Sequence, residues 1–328
     1  MEKPVIVVSF PAGPEGRALL DAELAEAAPL VFLKDLEGTE HRRRALESAD
    51  ILLSFMTGTE IPSSELPLLK KMKLFQSLLA GVDALPFSLI PKDSFVCCNA
   101  GAWADPIAEH ALGMALALGK RLLPLHRKLA RGEFDNSCKN LWFRGSTATI
   151  VGFGGIGTAV ARLFRELGMK IRALNTSGRT TEPVDWVGTL DDLEEAVRDA
   201  AVVVLSLPLT KRTRGLIGER QLGWMRKDAI LVNVARGALV QEKALYDHLR
   251  ENPCFMAGLD TWWVEPPTHG EFRTDFPFFE LENVLGSPHN SNLVEGIFPL
   301  ALKSAADNIR RFLANEPLVG VVDPSEYL

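Results

Sequence analysis

The chain has 328 residues, of which 47% are apolar and 24% charged, with 36 lysines and arginines against 42 aspartates and glutamates. That length exceeds one comfortable core and suits two domains, and the composition is that of a globular protein rather than a disordered or fibrous one. The net charge of −6 argues against a nucleic-acid partner, because phosphate contacts need a basic surface. The local basic run His41-Arg42-Arg43-Arg44 reads as a solvated helix face.

From the N-terminus, Glu2 precedes a short apolar run, Val5 to Phe10, which reads as a strand rather than a signal peptide. No run reaches the ~18 apolar residues of a membrane span. Cys97, Cys98, Cys138 and Cys254 form no C-x-x-C pair and read as small buried hydrophobes of a reducing compartment, so a cytoplasmic location is expected, with no metal site.

Apolar, β-branched runs then recur with helix-like stretches between them. Strands are predicted near 5–10, 31–36, 51–55, 73–79 and 95–98, and again near 147–152, 170–175, 201–206, 229–234, 255–260 and 283–286. Such alternation implies parallel sheets covered on both faces, hence an α/β class with two doubly wound domains. The run from Asp105 to Arg131 reads as one long helix, broken or kinked at Pro124 and bridging the domains. A helix over Phe298–Leu313 would return the chain to the first domain. The expected division is 1–101 with 291–328, and 102–290 inserted between them.

The sharpest motif is Gly152-Phe153-Gly154-Gly155-Ile156-Gly157, entered from an apolar strand and followed by an amphipathic helix that stops at Gly168. Gly152 permits the tight turn, Gly154 lets backbone approach a pyrophosphate, and Gly157 allows close helix–strand packing. The motif points to a bound dinucleotide. The next strand ends at Asn175, where such folds often carry an acidic residue for the ribose 2′-hydroxyl. Here Asn175, Thr176, Ser177 and Arg179 stand there instead, and the reading favours NADP over NAD.

Three polar residues follow the ends of later strands: Arg236, Glu265 and His289. Ligands of parallel sheets bind outside the carboxyl ends of strands, so the three can converge. A guanidinium grips a carboxylate and polarises a carbonyl. An imidazole passes a proton, and a carboxylate beside it orients the ring and stabilises its charge. The segments Asn233–Gly237, Gly258–Pro266 and Ser287-Pro288-His289 resemble the D-isomer-specific 2-hydroxyacid dehydrogenase family, with its glyoxylate and hydroxypyruvate reductases. Ser206–Thr210, Ala80–Asp83 and Ala108-Glu109-His110 extend the resemblance along nearly the whole chain.

The resemblance implies a Rossmann cofactor domain inserted into a flavodoxin-like substrate domain, with Arg236 binding substrate, His289 as acid/base and Glu265 supporting His289. It implies that the backbone of Ala80 and Gly81 receives the substrate carboxylate. Gly155 and Ile156 would meet the pyrophosphate, Leu207, Pro208, Thr213, Val234 and Ala235 would line the cofactor site, and Asp260 would lie near the nicotinamide amide. The expected activity is interconversion of a small 2-oxoacid and its D-2-hydroxyacid by a homodimer. The alternatives are formate or phosphite oxidation, and a non-catalytic dinucleotide sensor. His110 reads as structural or interdomain, His269 as a surface-loop residue, and Trp103 and the Phe10–Pro14 loop as either core or pocket border. The bulky pair Trp262-Trp263 and the polar run Asn290-Ser291-Asn292 depart from the usual family pattern on the acceptor side.

Overall fold

A computed structural model describes residues 3–327, and Glu2 lies outside them. The chain forms two compact units: one runs up to Trp103 and resumes at Glu295, and the other spans Ala104–Val294.

The first unit holds β1 (Ile6–Val8), β2 (Leu30–Phe32), β3 (Ile51–Ser54), β4 (Leu74–Ser77) and β5 (Phe95–Cys97), all parallel in the order β2-β1-β3-β4-β5. That order is the flavodoxin-like one. Strands β1, β3 and β4 are buried along their whole length, which is why they read as continuous apolar runs without alternation. Helices Gly13–Leu24 and Ile297–Leu313 pack together on this sheet, so the last helix belongs to the first unit.

The second unit holds β6 (Thr147–Val151), β7 (Lys170–Leu174), β8 (Trp186–Gly188), β9 (Ala200–Leu205), β10 (Ile230–Asn233), β11 (Met256–Leu259) and β12 (Val284–Gly286). They form one parallel sheet in the order β12-β11-β10-β9-β6-β7-β8, a doubly wound arrangement whose direction reverses between β6 and β9. Strand β8 was not among the predicted ones. It is a three-residue edge strand, too short to show a period.

The predicted long helix is two helices, Ala104–Gly119 and Leu122–Ala130, and the break falls at Arg121 (φ 50°) rather than at Pro124. The reason is steric: a proline ring clashes with the carbonyl four residues earlier, so Pro124 interrupts the helix at Lys120 and sits in the first turn of the next one. Among the described residues no helix is long and apolar enough to cross a membrane. The four cysteines are free, but Cys138 and Cys254 are exposed rather than buried. Both lie on loops, where the apolar pattern around them gave no strand or helix to bury them.

Candidate active site

Gly152 follows β6 at φ +96°, and a Cβ there would stand 2.5 Å from the Leu207 backbone nitrogen. A Cβ on Gly157 would collide with the Gly152 carbonyl oxygen. The fold itself therefore requires both glycines. Gly154 differs: its backbone is extended at φ −90°, and a Cβ would meet nothing within 4 Å. It keeps the ground in front of helix Gly155–Glu166 open. That helix has no acidic residue in its first turn, so its unpaired amides and positive dipole end face this space. Ser206 closes the turn from β9 by donating to the Gly152 carbonyl at 2.7 Å. Open ground, free amides and a strand-order reversal fit a dinucleotide pyrophosphate.

At the end of β7, Asn175 spends its side chain on its own loop. Its Oδ1 accepts from Ser177 and Gly178 N–H, and its Nδ2 donates to the Arg179 carbonyl. Thr176, Ser177 and Arg179 are exposed. Among the described residues no carboxylate pairs with the Arg179 guanidinium, and the nearest acidic residue in sequence, Glu182, pairs with Arg162. Leu207, Val234 and Ala235 are buried at strand ends, and Pro208 is exposed. The Thr213 hydroxyl is used within its turn: it donates to the Pro208 carbonyl at 2.7 Å and accepts from Thr210 N–H.

The three polar strand ends all lie in the second unit. His289 Nδ1 lies 2.7 Å from Glu265 Oε2. A carboxylate only accepts, so Nδ1 carries the hydrogen and Nε2 is left for a reacting oxygen. Glu265 Oε1 accepts from Trp262 N–H at 2.7 Å, and the Glu265 N–H donates to Nδ1 of the exposed His269. Burial pushes the Glu265 carboxyl up. The hydrogen bond and charge of His289, the Trp262 amide and the Arg236 charge together outweigh it and hold the group below its ordinary range. Arg236 follows β10 in extended backbone, and its Nη1 donates to the Ala235 carbonyl. The turn that carries it is held by near neighbours. Asn233 grips the turn by accepting from Ala235 N–H and donating to the Arg236 carbonyl, and a Cβ on Gly237 would run into the Trp262 backbone. Gly237 thus lets the Arg236 turn lie directly against the segment that carries Glu265.

Asp260 is fully buried and faces inward. Ser287 Oγ donates to its Oδ1 at 2.5 Å, with Asn290 N–H on the same oxygen and Ser291 N–H on the other. His110 Nε2 lies 2.8 Å from Ser287 Oγ. This connection was invisible as a motif, although His110 stands four and eight residues before Met114 and Leu118, on one helix stripe. Both tryptophans turn into the unit: Trp262 Nε1 donates to the Ser287 carbonyl, and Trp263 stacks on Phe278 and donates to the Val240 carbonyl.

In the first unit, Ala80 and Gly81 follow β4. Their loop is fixed from beneath, because Asn99 Nδ2 and Trp103 Nε1 both donate to the Leu78 carbonyl and Asn99 N–H donates to Leu79. Trp103 and Phe10 are buried core residues. The stretches 9–14, 54–59, 77–82 and 98–103 that follow β1, β3, β4 and β5 contain no Lys or Arg, and the buried Glu60 carboxylate accepts from the Ser9 and Ser54 hydroxyls there.

The sequence pattern of the D-isomer specific 2-hydroxyacid dehydrogenase NAD-binding domain matches residues 112–291. A D-3-phosphoglycerate dehydrogenase of Methanocaldococcus jannaschii is 31% identical over 85% of this chain, which spans 52% of that longer protein. A glycerate dehydrogenase of Methylorubrum extorquens is 29% identical over 92% of this chain and 95% of its own. The fold matches a crystal structure provisionally assigned as a formate dehydrogenase from Pyrobaculum aerophilum, with a TM-score of 0.82 and 29% identity over 100% of both chains. The chain belongs to the D-isomer specific 2-hydroxyacid dehydrogenase family of NAD(P)-dependent enzymes.

Proposed function

We propose that the protein reduces a small 2-oxoacid to its D-2-hydroxyacid, with His289 as the acid, Glu265 as its partner and Arg236 as the substrate-gripping cation. The observation that carries this reading is the 2.7 Å contact of His289 Nδ1 with Glu265, which leaves Nε2 for a reacting oxygen. A bound nicotinamide dinucleotide supplies the hydride. Gly152, Gly154, Gly155, Ile156 and Gly157 would hold its pyrophosphate, with Leu207, Pro208, Thr213, Val234 and Ala235 around it. His289 gives its Nε2 proton to the forming alkoxide, and Glu265 stabilises the imidazolium before that transfer. Arg236 grips the substrate, and the Ala80-Gly81 backbone offers its N–H groups to a carboxylate. Four free cysteines fit a cytoplasmic setting.

The substrate is an oxoacid without a second charge, because residues 77–82 around Ala80 and Gly81 offer a phosphate no cation. NADPH is the preferred reductant, because Asn175 to Arg179 presents an unpaired guanidinium and no carboxylate. One panel tests all three statements: kcat/KM for glyoxylate, hydroxypyruvate, pyruvate, bulkier oxoacids and 3-phosphohydroxypyruvate, with both cofactors, and formate oxidation beside it. The expected result is turnover of unphosphorylated oxoacids, the phosphorylated one poorer by about tenfold or more. NADPH should exceed NADH, and Arg179→Ala should shrink that preference by about tenfold, the order of one lost charge-assisted hydrogen bond. Formate oxidation without oxoacid reduction would replace the reading. Tight dinucleotide binding with no turnover at all would leave a sensor.

The protein assembles as a homodimer in this reading. The segment 122–142 exposes Leu122 and Leu129 (57% each), Phe134 (84%) and Trp142 (76%), more apolar surface than one short stretch of a monomer ordinarily shows. Light scattering should give twice the chain mass, and Phe134→Ser with Trp142→Ser should shift it toward the monomer. A monomeric unaltered protein would dismiss the dimer.

A further inference from the structure

His289 sits at φ +52°, left-handed backbone that a side-chain-bearing residue rarely adopts. Something must hold that turn, and the residues around it show what. Before it, the Ser287 carbonyl accepts from Trp262 Nε1 and the Ser287 hydroxyl donates to Asp260. After it, the amides of Asn290 and Ser291 both donate to Asp260. One buried carboxylate thus grips the chain on both sides of His289.

Proton bookkeeping extends the network one step further. Asp260 only accepts, so the single Ser287 hydroxyl hydrogen is committed to it, and the contact with His110 leaves Ser287 Oγ as acceptor. His110 therefore carries its hydrogen on Nε2, aimed at Ser287. Neutral Nε2–H and doubly protonated imidazole both make this bond. The reach of His110 follows from the sequence: a Cβ on Gly258 in β11 would press on Met114 and Leu118, so the glycine admits the helix face that holds His110 one turn before Met114, beside the end of the same strand.

We propose that His110, through Ser287 and Asp260, is a positioning residue that fixes the turn carrying His289. The inference rests on the assignment of His289 as the acid. His110 touches no reacting atom in this scheme; it sets the placement of Nε2, where displacement by about 1 Å costs up to ~10²-fold in rate.

The test is a set of variants assayed for kcat, KM and dinucleotide affinity. His110→Phe keeps a ring and loses the donor, and is expected to lower kcat about tenfold with oxoacid KM and dinucleotide Kd near their original values. His110→Gln, which places an amide N–H near the same point, should restore most of that loss. If His110→Phe does not fold, Ser287→Ala cuts the same link without altering the helix and carries the same expectation. In a His289→Ala background the His110→Phe effect should vanish, because the group being positioned is gone. Undiminished kcat in His110→Phe overturns the proposal, as does a Gln variant no better than Phe. An equal loss in the His289→Ala background also overturns it while leaving His289 as the acid. Undiminished turnover in His289→Ala itself is a separate result, and removes the acid assignment on which the inference stands.

Discussion

A His289→Ala protein is expected to lose about 10²–10⁴-fold in kcat for oxoacid reduction while binding dinucleotide as before. The separation follows from where the residue stands. The glycine turn lies after β6, whereas His289 follows β12 at the far edge of the same sheet, with β9, β10 and β11 between them. Removing an imidazole at that edge leaves the glycine turn intact. Glu265→Gln should also depress kcat by at least about tenfold, because the amide still occupies the space but no longer balances an imidazolium. The Glu265 carboxyl is held below its ordinary range in the folded protein. Its contribution to stability is therefore present above the ordinary glutamate value and is lost as pH falls through the lower folded one. Steady-state kinetics with a fluorescence titration of the cofactor checks both variants. Near-normal turnover in His289→Ala would refute the acid role.

The architecture was legible because parallel strands buried on both faces are continuous apolar runs, as β3, β9 and β10 are, and because glycines that the backbone needs leave a fixed spacing. Arg236, Glu265 and His289 were legible for a related reason: each follows a strand end, and strand ends in such sheets point to one edge. Other features were hidden because they depend on partners distant in sequence. Nothing around Asp260 says that its carboxylate engages Ser287, Asn290 and Ser291. The tryptophan pair read as bulk near the acceptor pocket, but Phe278 and the Ser287 and Val240 carbonyls draw both indoles into the core. Pro124 signalled a break but not its place, since its clash acts four residues upstream. Strand β8 gave no period to read.

The glycine turn gives the second large effect, and two single-methyl substitutions should separate its two roles. Gly157→Ala places a Cβ against the Gly152 carbonyl, a backbone atom that cannot swing away. Helix Gly155–Glu166 must then lift from β6, an overpacking strain of about 1–3 kcal/mol that should lower Tm by roughly 2–12 °C in a unit of this size. With the pyrophosphate proposed at the same helix end, dinucleotide affinity should fall with it. Gly154→Ala is expected to behave differently. Its φ of −90° suits alanine and its Cβ meets no protein atom, so Tm should stay within about 1 °C of the original. The methyl group instead stands in the open ground before the helix amides, and affinity for NADPH should fall by about tenfold or more, the order of one lost charge-assisted hydrogen bond. Calorimetry and a cofactor titration on both variants read the two effects apart. If Gly154→Ala bound dinucleotide as tightly as the unaltered chain, the pyrophosphate would have to lie elsewhere. The residues required by the fold, Gly152 and Gly157, would then no longer mark the site of the ligand.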